Sequence, residues 1–580
     1  MRHTVLPWSF AALCSLPLHA QEPLAEGSPQ QATAIAQALD AWVADYEKGE
    51  LAAKNTIRRG DHLQPTYVAH ARRAGKLGEH DEERITHLDA LQKLLFHAEK
   101  HPSAALAEAV LGVAAIGFET SFLDVQAHEL RELGHWTLMR MDHQGAWFVV
   151  LRTAAGERVP VLDDLRREGG ADAEPDADVV VGPSRRVAAL QLLGRKNWAV
   201  FRSTLEAALV DPEPRVRLAA AEALQPPWRL DTLRRASRAL ANERHPVVSQ
   251  ALVRGVLAML QAPPPGLEVA ERSIVVDGML GRFGRCGWRT DMELLDVVEL
   301  YPTKDMVPLL IGALDLEIKS PDALVTAINK RASPLLREKA ASLLRAMTGA
   351  ILLGDDPKEW RDFWATEHDK VVVPTVLKRA RAERTQAQFF GVPVTGGSVA
   401  FLVDTSGSMK DAPAGAAVTG VRASAAKSRL AAAKEQILVA ASAMDPEAQF
   451  WLFTFADRGK AWTPTALKPG PQNLRALTEL MGRLGAKGGT NLCDGLVQAL
   501  QLEGVKYGGT VAPKIDELFV LSDGEPTAGP LRETADLLQL VREANKYAQV
   551  RIHCVFTGTG GGADLMRQLA EQNGGVFVQR

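Results

Sequence analysis

The stretch Ser398–Met409, SVAFLVDTSGSM, decides the fold of the last third of the chain. Its residues 399–403 form an unbroken apolar run between glycines, which predicts a strand buried on both faces. Three oxygen-bearing side chains follow at alternate positions: Asp404, Ser406 and Ser408. A carboxylate and two hydroxyls suit Mg²⁺ or Mn²⁺, and open α/β sheets bind ligands at the carboxyl ends of their strands. Alone, this pattern also fits a capped helix start.

Two later stretches add oxygen donors at the same predicted edge of the sheet. GGTN at 488–491 opens an apolar helix and offers the hydroxyl of Thr490. ELFVLSDGEPT, at 517–527, contains a second apolar strand that ends at Asp523. Three separated loops therefore supply candidate ligands for one divalent cation: Asp404, Ser406, Ser408, Thr490 and Asp523.

This set of residues resembles the metal-ion-dependent adhesion site of the von Willebrand factor A domain family, which has DxSxS, then a Thr, then an Asp. All of these positions match, and the resemblance covers residues 395–580. It implies a bound Mg²⁺ or Mn²⁺ with one position left for the Asp or Glu carboxylate of a protein partner.

The rest of the C-terminal region alternates predicted strands and helices. Apolar strand patterns recur at 450–455, 518–521, 552–556 and 576–578, with helical spacing between them. This order requires a mainly parallel, doubly wound sheet with a Rossmann-like α/β fold, and we place the domain at 398–580. The glycine-rich TGTGGG at 557–562 lacks the lysine of a phosphate loop, so we interpret it as a strand-to-helix connection.

A weak proline-led repeat precedes this domain. Four prolines are each followed by small and apolar residues on one helical stripe: Pro183, Pro214, Pro246 and Pro334. The first two steps are 31 and 32 residues long, which indicates stacked helix pairs. The pattern resembles HEAT-type repeats, which we place at 180–368, followed by a linker at 369–397. A non-repetitive all-α domain is the alternative.

The region before the repeats, 21–170, also has helical spacing over most of its length. Short apolar runs at 136–162 (WTLMRM, AWFVVLR and RVPVL) interrupt it, and we predict a small β-meander there. The fold class is therefore multidomain, with an all-α region followed by an α/β domain.

The first twenty residues are typical of a secretory signal peptide. Arg2 and His3 precede a mostly apolar core, and Leu18-His19-Ala20 forms a cleavage site before Gln21. We therefore predict an exported protein, periplasmic or extracellular, with an unprocessed N-terminal arm as the alternative. No segment of the sequence is long and apolar enough to predict an integral membrane span.

Composition excludes several functional classes. The net charge of −3 at pH 7 gives no field that would attract nucleic acid, and the basic run at 377–384 is short. None of the four cysteines has CxxC spacing, which argues against zinc. Ser406 or Ser408 as a nucleophile lacks a base, because the only histidine after His368 is His553, inside a predicted strand.

The sequence thus predicts a non-enzymatic scaffold or adhesion-type protein. It would bind a protein partner through a cation site in its C-terminal domain. The first alternative is a structural protein whose metal only stiffens the loops or whose open position is filled internally. A hydrolase is the weaker alternative.

Overall fold

The structure is a computed structural model, and it describes nine segments of the chain. These are residues 27–47, 79–121, 124–157, 181–315, 333–377, 387–412, 427–509, 513–529 and 531–580. The chain divides into two compact units, one ending at Gln225 and the other running from Pro226 to Arg580 apart from short excursions. The predicted signal peptide at 1–20 lies outside the described residues.

The described part of the first unit is helical. Its helices are α1 (Pro29–Glu47), α2 (Glu79–Lys100), α3 (Ala104–Ala114), α4 (Val125–Arg140), α5 (Gln144–Ala154), α6 (Pro183–Lys196), α7 (Arg202–Ala208) and α8 (Pro214–Ala223). Helix α3 is apolar around its circumference and contacts α1, α4 and α5, which makes it the centre of the core of this unit. Ser103 is the N-cap of this helix, and its side chain accepts a hydrogen bond from the Leu106 amide at 3.2 Å.

The predicted β-meander at 136–162 is wrong for the described residues, because α4 and α5 occupy them up to Ala154. The buried positions of α5 recur at helical spacing: Ala146, Trp147, Val149, Val150, Thr153 and Ala154. His143 caps the helix by accepting from the Ala146 amide at 3.2 Å. Packing of this face therefore overrides the strand preference of the valines and aromatic residues. Residues 158–162 lie outside the described part.

A second set of helices begins the second unit. They are α9 (Leu230–Asn242), α10 (Pro246–Gln261), α11 (Val269–Leu280), α12 (Trp288–Leu300), α13 (Val307–Ala313), α14 (Pro334–Thr348) and α15 (Pro357–Glu367). Helices α6, α8, α10 and α14 begin at the four prolines that the repeat singled out, where the missing N–H of proline costs no hydrogen bond. The helical character of the described part of this region is confirmed, and its assignment to HEAT-type repeats stays a prediction.

The prediction of a linker at 369–397 is partly wrong, because these residues include a β-hairpin. Strands β1 (Gln388–Phe389) and β2 (Val392–Pro393) pair antiparallel across a two-residue turn, Phe390-Gly391, in which both residues have positive φ. Phe389 is fully buried and its ring lies 5.2 Å from that of Phe401 in the C-terminal domain. The hairpin therefore belongs to the core of that domain.

The C-terminal domain is a twisted sheet between helices, as predicted. Within its described residues the strands are β3 (Ser398–Asp404), β4 (Gln449–Phe455), β5 (Gly459–Ala461), β6 (Glu517–Ser522), β7 (Arg551–Phe556) and β8 (Phe577–Gln579), in the order β5-β4-β3-β6-β7-β8. All neighbours pair in parallel except β5, which is antiparallel to β4. The helices are α16 (Arg429–Ala443), α17 (Pro471–Arg483), α18 (Leu492–Ala499), α19 (Thr534–Ala548) and α20 (Gly562–Gln572). The fold is the predicted α/β Rossmann-like class.

The central position of β3 determines where polar groups meet. Every residue of β3 is buried, and Val403 is in register with Thr454 of β4 and Leu521 of β6. The carboxyl ends of β3 and β6 therefore lie side by side, which brings the loops after Asp404 and Ser522 together. No helix in the described part of the chain has the length and apolar character needed to cross a membrane.

Candidate metal centre

Asp404 ends the central strand and is fully buried. Its Oδ1 accepts a hydrogen bond from the Ser406 amide at 2.7 Å, and its Oδ2 accepts from the Ser522 hydroxyl, also at 2.7 Å. Burial raises the pKa of Asp404 to about 6, against the lowering effect of the hydrogen bonds from the two serines. The carboxylate is therefore held in one orientation from both neighbouring loops.

The two serines and Asp523 form a continuous chain of hydrogen bonds. The hydroxyl oxygens of Ser406 and Ser408 lie 3.1 Å apart, and the Ser408 hydroxyl donates to Asp523 Oδ1 at 2.9 Å. A 3₁₀ turn, Gly407–Lys410, places Ser408 over the end of β6. Four of the five predicted ligands are thus brought together by the ends of two adjacent strands.

The fifth predicted ligand, Thr490, lies in a loop that backbone hydrogen bonds hold at the same edge of the sheet. The Gly407 amide donates to the Gly488 carbonyl at 3.0 Å, and the Lys487 amide donates to the Thr405 carbonyl at 2.7 Å. Thr490 itself is buried, and its amide donates to the Thr527 hydroxyl at 2.9 Å. Within the described residues, no hydrogen bond links the Thr490 hydroxyl to the other four side chains.

The donor set fits a hard divalent cation. It contains two carboxylates and three hydroxyls, which are the oxygen ligands that Mg²⁺ and Mn²⁺ accept. No group of three or more His, Cys, Asp or Glu residues in the described chain is arranged to hold a metal, so the candidate site depends on hydroxyl as well as carboxylate ligands. When bound, a cation would supply a Lewis-acidic position at this edge of the sheet.

Sequence reasoning missed an arginine at the site. One terminal nitrogen of the Arg429 guanidinium donates to Asp523 Oδ2 at 2.6 Å, and the Asp523 side chain is fully buried by its surroundings. Arg429 is the first residue of α16, in a sequence context without a metal-binding motif. Only a basic residue in a first helical turn that lacks acidic residues could have drawn attention to it.

Sequence reasoning also missed the residues that hold the ligands in place. Ser522 orients Asp404, and Thr527 fixes the backbone of Thr490. The glycine-rich 557–562 segment is a strand-to-helix connection, as predicted, and it packs on the loop that carries Asp523: a Cβ added at Gly562 would lie 2.6 Å from the Gly524 carbonyl oxygen. The absence of a side chain at Gly562 is therefore a requirement of this close packing.

His553 does not serve the serines as a base. Its Nε2 hydrogen-bonds Glu517 Oε1 at 3.1 Å, its Nδ1 accepts from the Val576 amide at 3.0 Å, and its ring stacks on Phe519. Burial alone favours a neutral Glu517, but the His553 hydrogen bond and nearby Arg551 hold the pKa of this carboxyl below its usual value. His553 is thus committed to a buried pair at the start of β6, away from its carboxyl end.

Comparison with known proteins gives a family match for this domain. The sequence model of the von Willebrand factor type A domain matches residues 397–578. Inter-alpha-trypsin inhibitor heavy chain 4 of Mus musculus is 24% identical over 187 residues, which is 32% of this chain and 18% of the relative. Heavy chain H4 of Bos taurus is 24% identical over 181 residues, with 31% and 18% covered. The chain thus spans less than a fifth of the length of these curated relatives.

Two solved structures are similar to part of the chain. A von Willebrand factor type A structure from Catenulispora acidiphila has a TM-score of 0.24 and 22% identity, and the match covers 32% of this chain and 38% of that one. Proximal thread matrix protein 1 from the mussel byssus, solved with a zinc-occupied MIDAS motif, has a TM-score of 0.22 and 20% identity, with 31% and 41% covered.

Proposed function

Residues 397–578 form a von Willebrand factor type A domain, and we propose that this domain binds a protein partner through a divalent cation. The ligands in this proposal are Asp404, Ser406, Ser408, Thr490 and Asp523. The cation is Mg²⁺ or Mn²⁺, because hydroxyl and carboxylate oxygens are hard ligands.

The observation that carries this proposal is the chain of hydrogen bonds from Ser406 through Ser408 to Asp523. These residues come from loops more than a hundred positions apart in sequence, yet their oxygens lie within hydrogen-bonding distance. Oxygens that bond one another in this way can turn to share a cation instead.

The proposed recognition step exchanges a ligand on the cation. Mg²⁺ prefers six oxygens and readily keeps waters, so a site on one edge of a sheet leaves a position open to the outside. An Asp or Glu carboxylate of the partner replaces water there. The protein acts as a non-enzymatic scaffold or adhesion-type protein, exported on the basis of its first twenty residues, and its helical region offers a second surface.

A second candidate function is purely structural. Every hydrogen bond of the Asp404, Ser406, Ser408 and Asp523 side chains within the described chain stays inside the domain, and Arg429 already supplies a positive charge. In this reading, a cation would only stiffen the three loops.

Water-proton relaxation of bound Mn²⁺ separates the two functions. The full chain is loaded with Mn²⁺ and titrated with the capped peptide acetyl-Gly-Asp-Gly-amide, with acetyl-Gly-Asn-Gly-amide, which has no carboxylate, as the matched control. We expect the relaxation enhancement to fall only with the aspartyl peptide, because its carboxylate displaces a bound water. An enhancement that neither peptide changes would favour the structural reading, and no enhancement at all would remove the cation from the account.

A further inference from the structure

We propose that Arg429 is a built-in counter-cation that competes with the divalent cation for Asp523. It keeps the cation-free edge of the sheet folded and lowers the affinity of the site for its metal. This inference rests on the proposed function, because it concerns the same site.

The geometry places the arginine directly on a predicted ligand. Its terminal nitrogen lies 2.6 Å from Asp523 Oδ2, and the arginine and aspartate side chains are 12% and 0% exposed. The other oxygen of Asp523, Oδ1, accepts from Ser408. Both oxygens of this carboxylate are therefore occupied, Oδ1 by the hydroxyl of Ser408 and Oδ2 by the guanidinium of Arg429.

Backbone hydrogen bonds fix the position of Arg429, so that its side chain is held within reach of Asp523. Its amide donates to the Asp411 carbonyl at 2.8 Å, and the adjacent Ser428 caps α16 by accepting from the Ala431 amide at 3.2 Å. Asp411 follows the turn that carries Ser408. The start of α16 is thus tied to the loop of the site by its backbone and to Asp523 by its side chain.

The position of Arg429 within its helix is electrostatically unfavourable by itself. It is the first residue of α16, and no acidic residue shares its first turn. A positive charge at a helix N-terminus opposes the helix dipole. The ion pair with Asp523 offsets this cost, which argues that the arginine serves the carboxylate rather than the helix.

The geometry of the Arg429–Asp523 ion pair also allows the arginine to release the carboxylate to a cation. Only one nitrogen of Arg429 bonds Asp523, and its buried Nε has no hydrogen-bond partner within the described residues. A bidentate pair would be geometrically locked, whereas a single contact gives up one charged hydrogen bond when a cation takes the carboxylate. Two carboxylates and one guanidinium leave the site with one net negative charge, which attracts a dication less strongly than two would.

The test compares the full-length wild type with Arg429→Met, Arg429→Gln and Arg429→Lys. The matched control is Arg551→Met, which removes an arginine 3.7 Å from the buried Glu517 at the other end of β6. Calorimetry gives the Mg²⁺ affinity, and thermal unfolding with chelator gives the stability of the cation-free protein.

We expect the two neutral variants to bind Mg²⁺ about tenfold more tightly than the wild type, because a unit charge a few ångströms away is removed. Their unfolding midpoint in chelator should fall by a few degrees, and Mg²⁺ should raise it by more than in the wild type. Arg429→Lys should stay close to the wild type in both measurements, and Arg551→Met should change stability without changing affinity.

Three results would overturn the inference. Equal or weaker Mg²⁺ affinity in both neutral variants, with wild-type binding intact, rejects the competition but leaves the proposed function standing. An unchanged midpoint in chelator rejects the stabilising role of the ion pair. Absence of Mg²⁺ binding in all the proteins rejects the proposed function together with the competition.

Discussion

Gly558 lies against the backbone of Asp523 so closely that a Cβ at this glycine would overlap the Asp523 carbonyl oxygen. Gly558 follows strand β7, and Asp523 follows the neighbouring strand β6. The two loops therefore pack backbone to backbone at the edge where the predicted ligands meet. The position of Asp523 therefore requires that residue 558, in the neighbouring loop, is a glycine without a side chain.

Gly558→Ala should displace the loop that carries Asp523. We expect a loss of about 1–3 kcal/mol in the free energy of unfolding, as for other over-packing substitutions, and weaker Mg²⁺ binding. Gly560→Ala is the matched control, because a Cβ at Gly560 meets no atom within 4 Å. Chemical denaturation and calorimetry check both effects. Equal behaviour of the two variants would show that the close approach does not position Asp523.

Ser522→Ala should loosen Asp404 without removing any predicted ligand. The Ser522 hydroxyl donates to Asp404 Oδ2 at 2.7 Å inside the core, so its loss leaves one buried carboxylate oxygen unpaired. We expect a cost of about 1–3 kcal/mol in stability and a lower Mg²⁺ affinity. Ser442→Ala removes an exposed hydroxyl that bonds its own helix at the Val439 carbonyl, and it should change neither quantity. Unchanged binding in Ser522→Ala would deny this serine its orienting role.

Asp291, in the helical part of the second unit, should make stability depend on pH. Burial raises the pKa of Asp291 to about 7, against the lowering effect of its hydrogen bond from the Gly284 amide. The folded chain therefore holds this proton between its unfolded pKa of 3.8 and about 7, where the unfolded chain has lost it. Stability from this group is present in full below that window and is lost as the pH rises through it, at up to ~1.4 kcal/mol per pH unit.

Asp291→Asn should remove this slope, because the amide stays neutral and its oxygen still accepts from Gly284. We expect the unfolding midpoint of the variant to exceed that of the wild type at pH 8 and the difference to shrink at pH 5. Thermal unfolding at both pH values measures it. A difference that does not change with pH would contradict the assignment.

Phe389→Ala tests whether the hairpin in the predicted linker is part of the domain core. Phe389 is fully buried against Phe401 and Phe519, so its truncation should cost about 3–5 kcal/mol. Val372→Ala, at a position that is 87% exposed in the same predicted linker, should be nearly neutral. Denaturant unfolding compares the two. A small loss for Phe389→Ala would mean that the hairpin is only loosely attached.

Local chemistry made part of this structure predictable. Proline at the first helical position marked Pro183, Pro214, Pro246 and Pro334, because its effect is confined to its own turn. Likewise, the apolar run before Asp404 predicted a buried strand. The oxygen-bearing side chains at alternate positions from Asp404 onward predicted a polar edge of the sheet. These signals require no knowledge of what packs against them.

The missed features all depend on neighbours that are distant in sequence. The aromatic and branched residues of 144–154 have strand preference, and only their packing on other helices makes them helical. Arg429 becomes informative only when Asp523 is placed 2.6 Å away. The roles of Ser522 and Gly558 likewise become visible only when β3, β6 and β7 are known to be neighbours, and this strand order cannot be derived from the sequence alone.

The most direct test of the central claim is calorimetric titration of the full-length protein with Mg²⁺ and Mn²⁺. Asp404→Asn and Asp523→Asn are the test variants, because they remove charge with little change in shape. Asp564→Asn, whose side chain is 77% exposed, is the control. We predict one saturable site in the wild type and in the control, and its loss in both test variants. Absence of binding in the wild type, or equal binding in all four proteins, would contradict the account.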